Sequence, residues 1–550
     1  MAATWREKLD AAAAAFHRAL EEPRRAQHEL LAEILAHNAG TEFGRTHGFA
    51  SIRDLAEYRR RVPAASFADF APSIDRMMRG EQGVLIADPP IFFAQTSGTS
   101  GVPKHVGYPA RVDREYWGFL GTMLWKLERD YPGSIENAFC LSGKRNEGRA
   151  PSGVTVGSAS GFTRGVFAGL PFFYIAPDEV FEEPRFDARY YVLLWFALRK
   201  SLRVLTALNP SSLLTLFKQA EVMGPALADD LERGTLEAGP PGVAELAARL
   251  GPLPPPAPDV AARLRASLRA HGAFVPRDIW PDIRVIQTWK GGSSKLYLPA
   301  LLDRLPGAIV RPLQSSSTEG AFLVPFEDAW TGGVPALTSS VIELLPAERP
   351  PEPDEFIDFA DAKEGEGYRF AITNWRGMYR YLVDDVFYVE GWHKGLPILR
   401  YSHRHGLVSS LTGEKVTEVD VTTAMELALA ATGLKISEFL LGPRWGDPPR
   451  YVLVVELDRP IEEVRLRTLL HAFEAALRES NVEYTSKRDS ARLADPELVV
   501  VGAGEFERLK RARSASLGRS DAQVKLPRLM RDLIEDSTFA VQSSVGWSAG

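Results

Sequence analysis

At 550 residues the chain exceeds what one compact core holds, so two or more domains are expected. Its 45% hydrophobic and 25% charged residues exclude a disordered or membrane-embedded composition. A formal net charge of −6 excludes long-range attraction to nucleic acid or an anionic membrane, and neither is expected as a partner; a small anion needs only a local site.

The chain begins Met1-Ala2-Ala3-Thr4-Trp5-Arg6-Glu7-Lys8, with charges where a secretory signal carries an apolar core. No stretch reaches the roughly 20 apolar residues of a membrane span, so a cytoplasmic location is expected. An Ala-rich run to Leu20 predicts one helix, and Glu21-Glu22-Pro23 opens a second through Ile34. Ile91-Phe92-Phe93-Ala94-Gln95 reads as a buried strand followed by a Gly- and hydroxyl-rich loop. Helical patterns occupy 113–130 and 186–235, and the Pro/Gly/Ala-rich stretch 238–260 reads as a surface excursion. The single cysteine, Cys140, excludes an intramolecular disulfide and a Cys-based zinc site, and reads as a buried structural thiol.

Strands are expected at Arg284–Lys290, Ala308–Ser315, Val341–Leu345, Tyr368–Thr373, Tyr379–Val389 and Leu399–His403. This alternation predicts an α/β core with some antiparallel pairing. After about 410 a smaller α+β unit follows: a helix near 417–432, strands Ile436–Leu441 and Arg450–Leu457, and a helix near 464–480. Leu466, Leu469, Leu470, Phe473 and Leu477 give that last helix its apolar stripe. The expected domains are 1–408 and 409–550.

Four segments carry chemistry. Thr96-Ser97-Gly98-Thr99-Ser100-Gly101-Val102-Pro103-Lys104 puts four hydroxyls and two glycines into six residues directly after a strand. Glycine lets backbone N–H groups turn inward, hydroxyls donate further hydrogen bonds and Lys104 adds charge, which suits a polyphosphate. The spacing is not that of a Walker A loop, and a flexible Ser/Gly turn is the plain alternative. Gln314-Ser315-Ser316-Ser317-Thr318-Glu319-Gly320 offers a carboxylate beside hydroxyls after a strand, fit for magnesium or a nucleotide, or equally for a helix start. Gly377-Met378-Tyr379-Arg380-Tyr381-Leu382-Val383-Asp384-Asp385-Val386 offers Asp385 to ribose hydroxyls, or is an exposed charged hairpin. Gln523-Val524-Lys525-Leu526-Pro527-Arg528 taken alone is a solvated basic face. His403 and His405 alternate on the expected strand, too little for a metal site.

In chain order these segments join Asn38-Ala39-Gly40-Thr41-Glu42-Phe43-Gly44, His47-Gly48-Phe49, Arg61-Val62-Pro63, Trp289-Lys290-Gly291-Gly292, Gly413-Glu414-Lys415-Val416-Thr417-Glu418, Asn481, Tyr484 and Arg488. Taken together the sequence resembles the acyl acid amido synthetases of the Gretchen Hagen 3 (auxin-responsive promoter) family, within the adenylate-forming superfamily. The resemblance implies a large N-terminal adenylation domain, with mixed sheets flanked by helices and a β-barrel-like portion, and a small mobile C-terminal α+β cap hinged near 405–412. It implies ATP as co-substrate with Mg2+, and a small carboxylic acid and an amino acid or other amine as substrates. Ser97, Gly98, Thr99 and Ser100 would hold the ATP phosphates, with Lys104 a further phosphate contact. Thr318 and Glu319 would contact nucleotide and magnesium, Asp385 the ribose, and Arg404 would lie near the ribose. Lys525 would be the adenylation lysine, and Lys415 belongs to the start of the mobile domain.

Asp384 stands where the family usually has Gly, and Thr96 and Gly320 where plant members commonly have Ser and Cys; the last two read as mild changes. Trp117, Phe162, Phe172, Phe173 and Trp289 are aromatic candidates for an acyl pocket. An acyl-CoA ligase shares the first half-reaction and is the alternative enzyme. An inactive nucleotide-binding protein is the alternative outside enzymes, with Asp384 in its favour.

Overall fold

The computed structural model describes residues 4–95, 104–170, 175–406, 408–412, 414–516, 526–535 and 538–547, the side chains of 293, 296, 513, 515 and 516 excepted. Its contacts divide the chain into two compact units, Met1–Tyr401 and Ser402–Gly550. The fold is mixed α/β, with a large N-terminal unit and a smaller C-terminal one.

The first unit opens with the two expected helices, Trp5–Glu21 and Pro23–Asn38. Thr4 caps the first in a reciprocal box with Glu7, and Pro23 opens the second, where its missing N–H has no helical partner to lose. The strand Phe92–Gln95 pairs antiparallel with His105–Tyr108 and parallel with Thr155–Ser158. Gln95 lies opposite His105, so both ends of the expected phosphate loop leave from adjacent strand positions.

A second sheet is wholly parallel: Ala138–Cys140, Val204–Thr206, Val285–Thr288 and Ile309–Pro312. Parallel neighbours need crossovers, and the helices Phe186–Leu198, then Pro210–Arg233 with Pro258–His271, then Leu298–Arg304 supply the three in turn. Phe186–Leu198 is apolar on nearly every side and correspondingly buried, with Trp195 fully enclosed. Three strands, Ser315–Ser316, Ala321–Val324 and Val334–Pro335, form a small antiparallel sheet. A five-stranded sheet runs Val341–Pro346, Gly367–Thr373, Asp385–His393, Leu396–Arg404, with Tyr381–Leu382 also paired to Gly367–Thr373.

In the C-terminal unit four strands lie in the order Glu438–Arg444, Arg450–Glu456, Glu497–Val501, Val541–Val545. The central pair is parallel, and the helices Glu463–Ser480 and Val482–Asp489 make its crossover. The predicted stripe Leu466, Leu469, Leu470, Phe473 and Leu477 is buried.

Several expected elements differ. The run 186–235 is two helices with the buried strand Val204–Thr206 between them. The run 113–130 is broken by a π-type turn at Trp117–Gly121. Ala308–Ser315 is not one strand: Ile309–Pro312 joins the parallel sheet and Ser315–Ser316 the small antiparallel one. Tyr379–Val389 is likewise split: Tyr381–Leu382 and Asp385–His393 are separate strands interrupted at Val383–Asp384, and Arg380, with a left-handed φ of 52°, lies before both. The stretch 238–260 is not simply superficial, since Val243–Ala247 is helical and buries Val243 and Leu246.

Candidate active site

The four parallel strands point their carboxyl ends the same way, and the segments leaving those ends are Leu141–Lys144, Ala207–Asn209, Trp289–Gly292 and Leu313–Glu319. Ligands of open α/β sheets bind at this edge, where the connecting loops meet. Two of these segments are tied together directly: Trp289 Nε1 donates to Gln314 O at 3.1 Å. Lys290 Nζ donates to Asp328 O at 2.7 Å, and burial pushes its ammonium below the usual lysine range.

Glu319 sits in the turn between Ser315–Ser316 and Ala321–Val324 and is 8% exposed. Ser317 Oγ donates to its Oε2 at 2.6 Å and Tyr381 OH to its Oε1 at 3.3 Å. Among the described residues no Lys, Arg or His forms an ion pair with it. Buried carboxylates are paired or bind cations; among the described residues this one has hydroxyl donors and no counter-charge, and a bound divalent cation is a fitting complement. Thr318, one residue earlier, is half-buried; its carbonyl accepts from Tyr108 OH and from Arg376 Nη1, both at 2.8 Å.

The turn is also sterically confined. A Cβ on Gly320 would lie 2.5 Å from Ile372 Cδ1 and 2.8 Å from Asn374 Nδ2. That same Nδ2 donates to Glu319 O at 2.8 Å. Gly320 is therefore no mild change in this chain, since a side chain there would displace the amide that holds Glu319.

The third motif is not the exposed hairpin that its charges alone suggest. Met378, Tyr379 and Arg380 are fully buried, and Tyr379 OH donates to Leu85 O at 2.7 Å. Arg380 Nε donates to Glu343 Oε2 at 3.0 Å, and Arg59 Nε to Glu343 Oε1 at 2.7 Å. Asp385 begins the strand Asp385–His393 and is half-buried. Asp384 is exposed and acts electrostatically on Arg369, away from the buried part of the motif.

Lys104 directly precedes the strand His105–Tyr108, its Nζ 5.0 Å from the ring centroid of Phe67. The ring of Phe70, one turn along the same helix, lies 6.3 Å from that of Tyr381. The structure thus joins three motifs: Tyr381 of the third touches Glu319 of the second, and Tyr108, on the strand after the phosphate loop, touches Thr318. Ser97, Gly98, Thr99, Ser100 and Lys525 lie outside the described residues.

Among the aromatic candidates, Phe162 is core, packed 5.1 Å from both Phe92 and Tyr108. Trp117 packs 4.6 Å from Phe167, Trp289 is partly buried, and Phe172 and Phe173 lie outside the described residues. Cys140 is partly buried rather than fully so, and desolvation pushes its thiol up to about 12, which suppresses the reactive thiolate.

In the second unit Arg404 ends the strand Leu396–Arg404 and is half-buried. His405 lies beyond that strand, so the expected alternation of His403 and His405 along it does not occur. Arg528, three residues after Lys525, is no solvated cation: it is buried, its Nη1 donating to Glu438 Oε2 at 2.6 Å and to Phe439 O at 2.8 Å. Lys415 is exposed, and its carbonyl accepts from Asn481 Nδ2 at 2.9 Å.

The neighbouring Glu414 is fully buried, accepting from Leu411 N at 2.6 Å, Thr412 N at 2.9 Å and Tyr451 OH at 2.8 Å. Burial raises its carboxyl, but these hydrogen bonds outweigh burial and hold it below the ordinary value. Its stabilisation is therefore complete above the unfolded value of about 4.3 and is lost as pH falls through the lower folded value. Glu414→Gln should flatten the acid limb of the thermal stability curve between about pH 5 and 2. An unchanged acid limb would show that Glu414 does not govern it.

None of the residues Glu115, Arg376, Asn374 or Tyr108 stands out in the sequence, because each acts only through partners far away along the chain.

Known families and structures match the chain nearly end to end. The GH3 family N-terminal domain matches residues 12–309, the central domain 333–404 and the C-terminal domain 419–534. A rice protein named as a probable indole-3-acetic acid-amido synthetase, GH3.12, is 27% identical, covering 93% of this chain and 92% of its own. The jasmonoyl–L-amino acid synthetase JAR4 of Nicotiana attenuata is 24% identical over 91% of this chain and 90% of its own. The solved structure of the AtGH3.15 acyl acid amido synthetase in complex with 2,4-DB shares the fold, with a TM-score of 0.82 at 20% identity, covering 98% of this chain and 97% of that one. The chain belongs to the GH3 family, whose N-terminal, central and C-terminal domains follow one another along it.

Proposed function

We propose that the chain is an ATP-dependent, AMP-forming acid–amino acid ligase. It activates a small carboxylic acid as the acyl-adenylate with release of pyrophosphate, then transfers the acyl group to an amino acid, giving an amide and AMP. The observation that carries this reading is the buried Glu319, without an ion-pair partner among the described residues, at the carboxyl edge of the parallel sheet. Relatives that match nearly end to end and are named for amide formation from indole-3-acetic or jasmonic acid support it.

Glu319 is the residue assigned to magnesium. Among the described residues no group of three His, Cys, Asp or Glu could hold a metal, which suits an ion bound by one carboxylate, water and substrate phosphate oxygens. When bound, magnesium neutralises charge on the phosphates. The first step joins two anions, the acid's carboxylate and the α-phosphate, so the protein's task is positioning and charge neutralisation. Ser97, Gly98, Thr99 and Ser100 are assigned to the phosphates, with Lys104 beside them; Asp385 and Arg404 are assigned to the ribose. In the second step the amine attacks the acyl carbonyl, AMP leaves with the C–O bonding pair, and the nitrogen loses its proton. A cytoplasmic setting fits an enzyme with one unreactive thiol, and among the described residues no helix is long and apolar enough to cross a membrane.

Lys525 is assigned as the adenylation lysine. Lys525→Ala should lower acid-dependent pyrophosphate–ATP exchange about a hundredfold with an unchanged circular dichroism spectrum. Exchange at the parent rate would remove Lys525 from that role. Offering CoA and amino acids in parallel separates the two ligase readings: an amide supports this one, and a thioester without amide supports the other.

A further inference from the structure

Glu115 and Arg376 form an ion pair sealed from solvent, each side chain 1% exposed, with Arg376 Nη2 2.8 Å from Glu115 Oε2. Trp375 N donates to Glu115 Oε1 at 2.9 Å, and the guanidinium lies 4.5 Å from the ring centroid of Tyr108. Burial raises the Glu115 carboxyl, with the Arg376 charge opposing it. A pair this deep gives no stability advantage over well-packed apolar residues of equal volume, so its role is sought in what the guanidinium does besides pairing.

That second contact is specific. Arg376 Nη1 donates to Thr318 O at 2.8 Å, beside the Tyr108 hydroxyl that donates to the same oxygen. Arg376 N donates to Asn374 Oδ1 at 3.0 Å, which orients the amide so that its Nδ2 donates to Glu319 O at 2.8 Å. Successive carbonyls, those of Thr318 and Glu319, are thus fixed from one short segment, Asn374–Arg376. The backbone bearing the Glu319 carboxylate is held by this segment, and the closeness of Asn374 Nδ2 and Ile372 Cδ1 leaves no room for a side chain at Gly320 beside it.

We infer that Arg376, charge-balanced by Glu115, is a positioning residue that sets the Glu319 carboxylate for a divalent cation. This inference rests on the ligase reading. A planar guanidinium can serve a carboxylate and a carbonyl at once with geometrically fixed N–H groups; an ammonium is a point charge that cannot reproduce the fork.

The test uses the full chain and two variants, Arg376→Lys and the double variant Glu115→Met with Arg376→Met. The first keeps a charge opposite Glu115; the second removes both charges at similar volume and so leaves no unpaired buried ion. Mn2+ binding in the presence of α,β-methylene-ATP is followed by electron paramagnetic resonance, alongside calorimetric titration of the analogue without metal. Removing support behind a metal ligand commonly costs about 10- to 100-fold in affinity. Both variants are expected to fold and to lose about tenfold in Mn2+ affinity, with metal-free affinity for the analogue changed less than about twofold. Parent-like Mn2+ affinity in the double variant would overturn the inference. So would failure of both variants to fold, or a parallel loss of metal-dependent and metal-free affinity, either of which assigns the pair to general packing. Failure of the parent chain itself to bind the analogue with Mn2+ would instead overturn the ligase reading.

Discussion

Glu319→Gln should lower acid-dependent pyrophosphate exchange by at least about a hundredfold while the chain stays folded. Glutamine is isosteric, and its amide can still bond with Ser317 Oγ and Tyr381 OH, which now lie 2.6 and 3.3 Å from the carboxylate. Packing around the turn is unaltered, and only the charge is removed. In the native chain that charge has no ion-pair partner among the described residues, so its loss costs the fold nothing in ion pairing. The loss therefore falls on adenylation, where developing charge on the phosphates requires neutralisation at low dielectric. Exchange within threefold of the parent rate, with an unchanged melting profile, would place the cation elsewhere.

Glu343→Ala should act oppositely, on stability. Its carboxylate, 1% exposed, is shared by Arg380, 0% exposed, and Arg59, 19% exposed. Arg380 is further fixed by donating to Val62 O at 2.8 Å and Arg59 O at 3.2 Å, so it cannot turn out to water. Removing the shared anion leaves a guanidinium buried without its counter-charge, which costs about 3–5 kcal/mol. That is a large fraction of the about 5–15 kcal/mol that holds a typical domain folded. Thermal unfolding read separately for the two units should show the loss in Met1–Tyr401 alone. A cost under about 1 kcal/mol would mean the site relaxes to admit water.

Both residues illustrate what the sequence reveals and what it withholds. Helices with a full apolar stripe, such as Glu463–Ser480, are legible because their period repeats over several turns. Val204–Thr206 is not: three residues buried on both faces present no alternation, and apolar helices flank them. Glu319 is legible as a carboxylate among hydroxyls after a strand. That no described residue forms an ion pair with it is not, since this depends on which distant side chains fail to reach it. Arg380 and Arg376 look like ordinary surface charges because Glu343 and Glu115 lie far away along the chain. The left-handed backbone at Arg380 is equally hidden, arising from tertiary contacts that override local preference.

The central claim is that this chain couples acid activation by ATP to amide formation. Its most direct test is mass spectrometry of the purified chain incubated with ATP, Mg2+, a panel of carboxylic acids and the twenty amino acids. An acyl–amino acid amide appearing with equimolar AMP and pyrophosphate, and only when acid and amino acid are both present, is the predicted result. ADP in place of AMP, or AMP release independent of any acid, would contradict it.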